Sequence, residues 1–150
     1  MTKVDFYLVP ETDLTGRYQF ACKLVQKTFR LGHRIYIHCP DEPSARQLDE
    51  VLWRFQTQAF LPHQLMDGNT AGNAGDSDAN DDICIGWQSP PQDHHDLLIN
   101  LTDRIEPFFS RFQRVSEVLN SDEQVLALGR ENFKAYRHKN YPLNWHDMRR

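Results

Sequence analysis

Val4–Pro40 reads VDFYLVPETDLTGRYQFACKLVQKTFRLGHRIYIHCP, and the order of signals in it decides the fold. Val4 to Val9 is β-branched and aromatic and stops at Pro10, the pattern of a strand. A polar segment, Glu11 to Gly16, leads into a helix whose apolar positions are Tyr18, Ala21, Cys22, Val25 and Phe29. Gly32 supplies its C-terminal stop. Arg34 to Cys39 (RIYIHC) is a second strand, closed by Pro40. A second helix starts near Asp41 with Pro43 tolerated in its first turn, and Ala45, Leu48, Leu52 and Phe55 make its buried face. Strand, helix, strand, helix predicts an α/β domain with a mainly parallel sheet, because parallel neighbours need a crossover between them.

Downstream, Ile83 to Trp87 (ICIGW) and Leu97 to Leu101 (LLINL) are short apolar runs suited to buried strands. Arg114 to Leu119 is a fifth strand that leads straight into a final helix. A sheet of about five strands flanked by helices, in a single domain spanning 1–150, follows from this tally; 150 residues are enough to bury a core. Between Met66 and Asp82 the chain turns to Gly, Asn, Asp, Ser and Ala, which predicts a flexible acidic surface loop at about 66–82. Asp76, Asp78 and Asn80 mimic the opening of a calcium-binding loop. The match fails, since Asp81 stands where Gly is needed and Trp87 where Glu is needed. His94 and His95 read as exposed loop histidines with no third ligand spaced to join them, so no metal is expected.

The formal charge of −4 argues against a surface that grips nucleic acid throughout. From Ser121 to Arg150, however, six Lys/Arg face four Asp/Glu, so this end is +2 and the remainder −6. That asymmetry predicts a local basic site on an acidic body. Cys22, Cys39 and Cys84 are odd in number, widely spaced and without a CxxC pair, which argues against a disulfide framework or zinc site and makes a reducing cytoplasm the expectation. Val4 to Val9 is too short for a signal peptide, and no run approaches membrane-spanning length.

The final helix carries the basic site. The spacing predicts a helix over Asp122–Lys139, with Ser121 and Gln124 forming a capping box. Val125, Leu128 and Tyr136, helped by Leu126 and Phe133, dock it on the core. Arg130, Lys134 and Arg137 at i, i+4 and i+7 line a neighbouring stripe, with Phe133 beside them. Such a stripe is either an ordinary solvated face or a site for a ligand that is both acidic and apolar. Trp53 lies about a quarter turn off the second helix's buried stripe, and Phe60, Leu61 and Pro62 follow in a segment without periodicity. These are either satellite core beneath a loop or a partner surface.

Catalytic signals are missing. The turn after the first strand, PETDLTGR, has one glycine, and neither a GxGxxG nor a GxxxxGK[ST] phosphate loop occurs. There is no GxSxG elbow, carboxylate pair or Cys/His set that stands out. These absences point to a binding module without a cofactor.

DFYLV (Asp5–Val9), LDEVLW (Leu48–Trp53), FLPH (Phe60–His63), LLINL (Leu97–Leu101) and KAYR (Lys134–Arg137) together resemble the chi-subunit family of the bacterial DNA polymerase III holoenzyme, accessory proteins of the clamp-loader complex. Order and spacing agree from about Val4 to Tyr141. The resemblance implies a Rossmann-like three-layer fold without nucleotide-binding activity. It implies a non-catalytic adaptor in DNA replication that pairs with the psi subunit, reaches the clamp loader through psi, and binds the acidic C-terminal tail of single-stranded DNA-binding protein. DNA contact would be mainly indirect, and a repair helicase could share the psi-facing surface. On this resemblance Arg130 would take a tail carboxylate, Phe133 and Leu119 would form the pocket for the tail's last ring, and Lys134 and Arg137 would supply the positive field. Leu126 stands where relatives can carry a basic residue. Trp53 and Phe60, with Leu61 and Pro62, would face psi. The rival readings are a direct single-strand binder using the same cations, and a small α/β enzyme acting on a nucleotide-like substrate.

Overall fold

A computed structural model describes residues 1–55, 63–66 and 82–149. In chain order the elements are β1 (Lys3–Leu8), α1 (Leu14–Arg30), β2 (Ile35–His38), α2 (Glu42–Phe55), β3 (Gln64–Leu65), β4 (Ile83–Gly86), β5 (Leu97–Asn100), a 3-10 turn (Pro107–Arg111), β6 (Arg114–Leu119), α3 (Glu123–His138) and β7 (Leu143–Asp147). The strands form one sheet in the order β3-β4-β2-β5-β6-β1-β7, and every neighbouring pair is parallel. The α/β architecture expected from the opening stretch is present, and so are all five anticipated strands.

The sheet is nevertheless wider than about five strands, because β3 and β7 extend its two edges. β3 has two residues, too few for any periodicity to show. β7, LNWHD, is an edge strand whose five residues are all half-buried or exposed. Only the alternation of Leu143 and Trp145 behind Pro142 betrays it in the sequence.

α1 and α2 cover one face, where Tyr18, Ala21, Val25, Leu48 and Leu52 meet the isoleucines of β2, β4 and β5. Each such side chain, fully removed from water, contributes about 1.5–3 kcal/mol. Phe29 and Phe55, expected on these buried faces, are only partly covered. α3 and the 3-10 turn cover the other face through Tyr136, Phe109 and Phe112 against Phe6, Leu98 and Val115. The result is a three-layer sandwich.

Local signals set most boundaries. The Asp13 carboxylate accepts the Gly16 N–H at 3.0 Å, so α1 begins at Leu14 and Gly16 belongs to its first turn rather than to the preceding loop. Gly32, at φ +81°, ends α1 by donating its N–H to Phe29 O at 2.9 Å, as the stop at this position requires. Asp41 caps α2 through the Ser44 N–H at 2.9 Å.

α3 departs from expectation at its start. Its cap is Asp122, whose side chain accepts from the N–H groups of Gln124 and Val125. Ser121 instead donates its hydroxyl to Val9 O at 2.8 Å, tying the end of β6 to the end of β1.

His94 also differs from its reading as an exposed residue. It is 0 % exposed, with Nδ1 3.2 Å from Asp93, because the loop folds back under the start of β6. Cys22 and Cys39 are buried, and burial pushes both thiols up to about 12, which leaves them inert near neutral pH. The EF-hand mimic at Asp76, Asp78 and Asn80 and most of the acidic 66–82 stretch lie outside the described residues; Met66 itself is buried against β4.

Candidate functional site

α3 owes its position to Gly129. A Cβ there would collide with the Leu119 side chain of β6, so the bare backbone of the helix settles directly on the sheet. About two turns further on, Tyr136 is fully buried and donates its hydroxyl to Glu117 Oε2 at 2.7 Å. Glu117 is 1 % exposed and also accepts from Asn100 Nδ2 at 3.0 and 3.1 Å. Burial pushes this carboxyl up to about 7, against the pull of those two hydrogen bonds and of the Arg17 charge.

Asn100, Thr102, Glu117 and Arg17 together close the carboxyl ends of β5 and β6. Arg17 is 4 % exposed, donates Nε to Val118 O at 2.6 Å, and lies 3.9 Å from Asp103. This is the end of the sheet at which an α/β domain presents its ligand crevice. Here the protein's own side chains fill it with a bonded polar network.

The apolar part of the candidate site lies between α3 and β7. Phe133 is half-buried and meets Phe6 edge-on at 5.3 Å and Trp145 edge-on at 5.5 Å. Phe6 in turn stacks on Trp145 at 5.6 Å with 15° between the planes. Such ring pairs add about 0.5–1.5 kcal/mol each beyond the area they bury. They leave Phe133 and Trp145 as a partly open aromatic ledge.

Arg130 and Arg137 are exposed on the same side of α3, one helical turn before and after Phe133. Neither meets a carboxylate among the described residues, so both guanidinium forks are available. Lys134 is rotated about 40° beyond Arg130, away from the ledge, and touches Glu131 only at 4.0 Å. Leu119 is 2 % exposed beneath Gly129, so it supports the site from below. Leu126 is half-buried one turn before Arg130. The structure thus brings Arg130, Phe133 and Arg137 together and adds Trp145, which the sequence reading missed.

The second surface is centred on Trp53, which is 51 % exposed on α2, as its off-stripe position required. Its ring packs at 4.4 Å against His63, whose Nε2 lies 3.0 Å from Asp49 of the same helix. Phe60, Leu61 and Pro62 lie outside the described residues. Among those described, no three His, Cys, Asp or Glu side chains are grouped to hold a metal ion. No helix there is long and apolar enough to cross a membrane.

Over residues 1–144 the chain matches the family described as DNA polymerase III chi subunit, HolC. The chain belongs to that family. It is 39 % identical over 150 residues to the DNA polymerase III subunit chi of Pseudomonas aeruginosa, covering 100 % of this chain and 99 % of that one. It is 30 % identical over 149 residues to the chi subunit of Escherichia coli (strain K12), covering 96 % and 97 %. Among solved structures it resembles that of T4 UvsW, with a TM-score of 0.65 over 98 % of this chain. It spans 42 % of the length of UvsW at 9 % identity, so this likeness is one of fold. As a chi-family protein the chain is a component of DNA polymerase III in DNA replication.

Proposed function

We propose that the chain is a non-catalytic adaptor which holds the acidic C-terminal tail of single-stranded DNA-binding protein at α3 and pairs with the psi subunit through the Trp53 surface. The observation that carries the tail assignment is the pair of unpartnered guanidinium groups, Arg130 and Arg137, flanking an aromatic ledge made by Phe133 and Trp145. A peptide ending in an aromatic residue supplies a ring for the ledge and a carboxylate for the fork, and arginine binds carboxylates bidentately. Acidic residues further up the peptide meet Lys134 in the surrounding field.

The psi assignment is supported by a large aromatic side chain left half exposed on a helix whose other face is core. Psi would then link the chain to the clamp loader. The filled carboxyl end of the sheet, where Arg17, Asn100 and Glu117 bond to one another and to the backbone, favours this reading over an enzyme acting on a nucleotide-like substrate.

The test is a calorimetric titration with an acidic peptide ending in Pro-Phe. Ordering a short flexible peptide costs free energy, so the expected affinity is about micromolar, roughly −8 kcal/mol. Removing the terminal Phe is expected to abolish measurable binding. Equal affinity for the peptide with and without that residue would overturn the assignment of the ledge.

A further inference from the structure

A cleft on the α1 face of the sheet lies away from both the α3 stripe and the Trp53 surface. It opens between α1 and the amino ends of β1, β5 and β6 and encloses about 730 Å³. That volume is within the roughly 300–1,000 Å³ of small-molecule sites. Lys3, Lys27, Arg111 and Arg114 line it, against a single carboxylate, Asp96. Asp96 is already engaged, accepting the Arg34 N–H at 2.7 Å and lying 3.8 Å from His33.

Of the four cations, Lys3 and Lys27 pair with no carboxylate among the described residues. Arg111 gives one N–H to Pro91 O at 3.3 Å, and Arg114 reaches Asp5 only at 4.0 Å. Asp5 itself is occupied by His146 at 3.2 Å. A cationic cleft of this kind is unexpected on a chain whose net charge is −4.

A second, independent feature is Ser116 on the cleft floor. The residue is 3 % exposed and lines the cleft, and its hydroxyl makes no hydrogen bond to another described residue. A hydroxyl without a protein partner at the floor of a cleft is free to donate to an acceptor bound there. Four cations against one engaged carboxylate leave the cleft net positive, which favours a multiply charged anion such as a phosphate ester over a single carboxylate. Leu24 and Leu31 of α1 give the same cleft an apolar wall suited to an organic group.

We propose that this cleft binds a small organic phosphate of nucleotide size, the phosphate neutralised by Lys3, Lys27, Arg111 and Arg114 and accepting a hydrogen bond from the Ser116 hydroxyl. It is a binding site, with no chemistry assigned to it.

The experiment is calorimetry on the full chain with ADP, with inorganic phosphate and with an oligothymidylate. Saturable one-to-one binding of ADP, tighter than about 1 mM, is expected. Exchanging both Lys27 and Arg114 for Ala, each on the surface, is expected to weaken ADP at least about tenfold, the loss of charge-assisted contacts. Ser116→Ala, which removes only an oxygen, is expected to weaken it about threefold or more. Arg130→Ala is expected to leave ADP binding unchanged.

Absence of ADP binding at several millimolar, or binding indifferent to all three cleft substitutions, would overturn the proposal. Inorganic phosphate binding as tightly as ADP would refute the organic part of it. Oligothymidylate binding more tightly than ADP through the same residues would make the cleft a strand groove and equally overturn it.

Discussion

Glu117 is a carboxyl with an ordinary value of 4.5 that the fold holds at about 7. Between those values the native state binds a proton that the unfolded chain has released. The stability it contributes is therefore fully present below about pH 4.5 and lost as pH rises through about 7, a change of roughly 3 kcal/mol. Glu117→Gln is expected to flatten this limb when urea unfolding is compared at about pH 5 and pH 8, with the variant relatively more stable at the higher pH. An unchanged slope would show that Glu117 is not the titrating group. At Arg130 the prediction concerns binding. Arg130→Ala is expected to cost about 2 kcal/mol or more of peptide affinity, since interfaces concentrate their energy in few residues. Arg130→Lys also weakens binding, because an ammonium cannot reproduce the two-pronged contact. Lys134→Ala costs less, and its effect fades in salt, as expected for a side chain 66 % exposed. Titration of the three variants at two ionic strengths separates these roles. The Arg130, Lys134 and Arg137 spacing was legible in the sequence because helical period alone puts them on one side. The burial of Glu117 was not, since a Glu within RVSEVL reads as a solvent-facing position until α3 is laid over it.

Among the elements, α3 is placed by a close approach that its composition disguises. Gly129 in a helix interior reads as a weak point, costing about 1 kcal/mol relative to Ala. Its neighbour across the interface is the Leu119 side chain, itself 2 % exposed in the core. Gly129→Ala is therefore expected to lower stability by about 1 kcal/mol net, overpacking of about 1–3 kcal/mol outweighing the gain in helix propensity. Peptide affinity should fall with it, as Arg130 is lifted from the ledge. Chemical denaturation with parallel titration reads both effects, and a stabilised variant would refute the packing argument. α2 presents the converse case. Trp53 is 51 % exposed, so Trp53→Ala is expected to shift the melting temperature little while abolishing co-purification with psi. A large loss of stability would make Trp53 core. The predicted cap at Ser121 failed for a reason that lies outside the element. Ser121 is drawn away by Val9 and Glu11, from the far end of the chain, which leaves the neighbouring Asp122 to cap.

At the scale of the whole molecule, the described residues form a body that carries a cationic stripe on α3 and a cationic cleft on the opposite layer, in a chain of net charge −4. Non-specific strand binding depends on many phosphate contacts, and three cations on one helix provide few. A naked single-stranded oligonucleotide is thus expected to bind the α3 stripe at least about tenfold more weakly than the acidic peptide at physiological salt. Competition between the two in a fluorescence titration measures this, and tighter oligonucleotide binding through Arg130 would favour direct strand contact. By itself the sequence determined the five central strands, the three helices and the stripe on α3. Each rests on short-range chemistry: alternation, helical period, a capping carboxylate, or a glycine able to adopt φ +81°. The block-by-block resemblance to the chi family extended that reading to a function. Only the tertiary structure decided which strands are neighbours. β1 lies between β6 and β7, elements from the other end of the chain, and that pairing carries Trp145 beneath Phe133 and Ser116 beside Asp5. A sheet edge and a cleft floor are made by side chains distant in sequence, and no local period encodes which of them will meet.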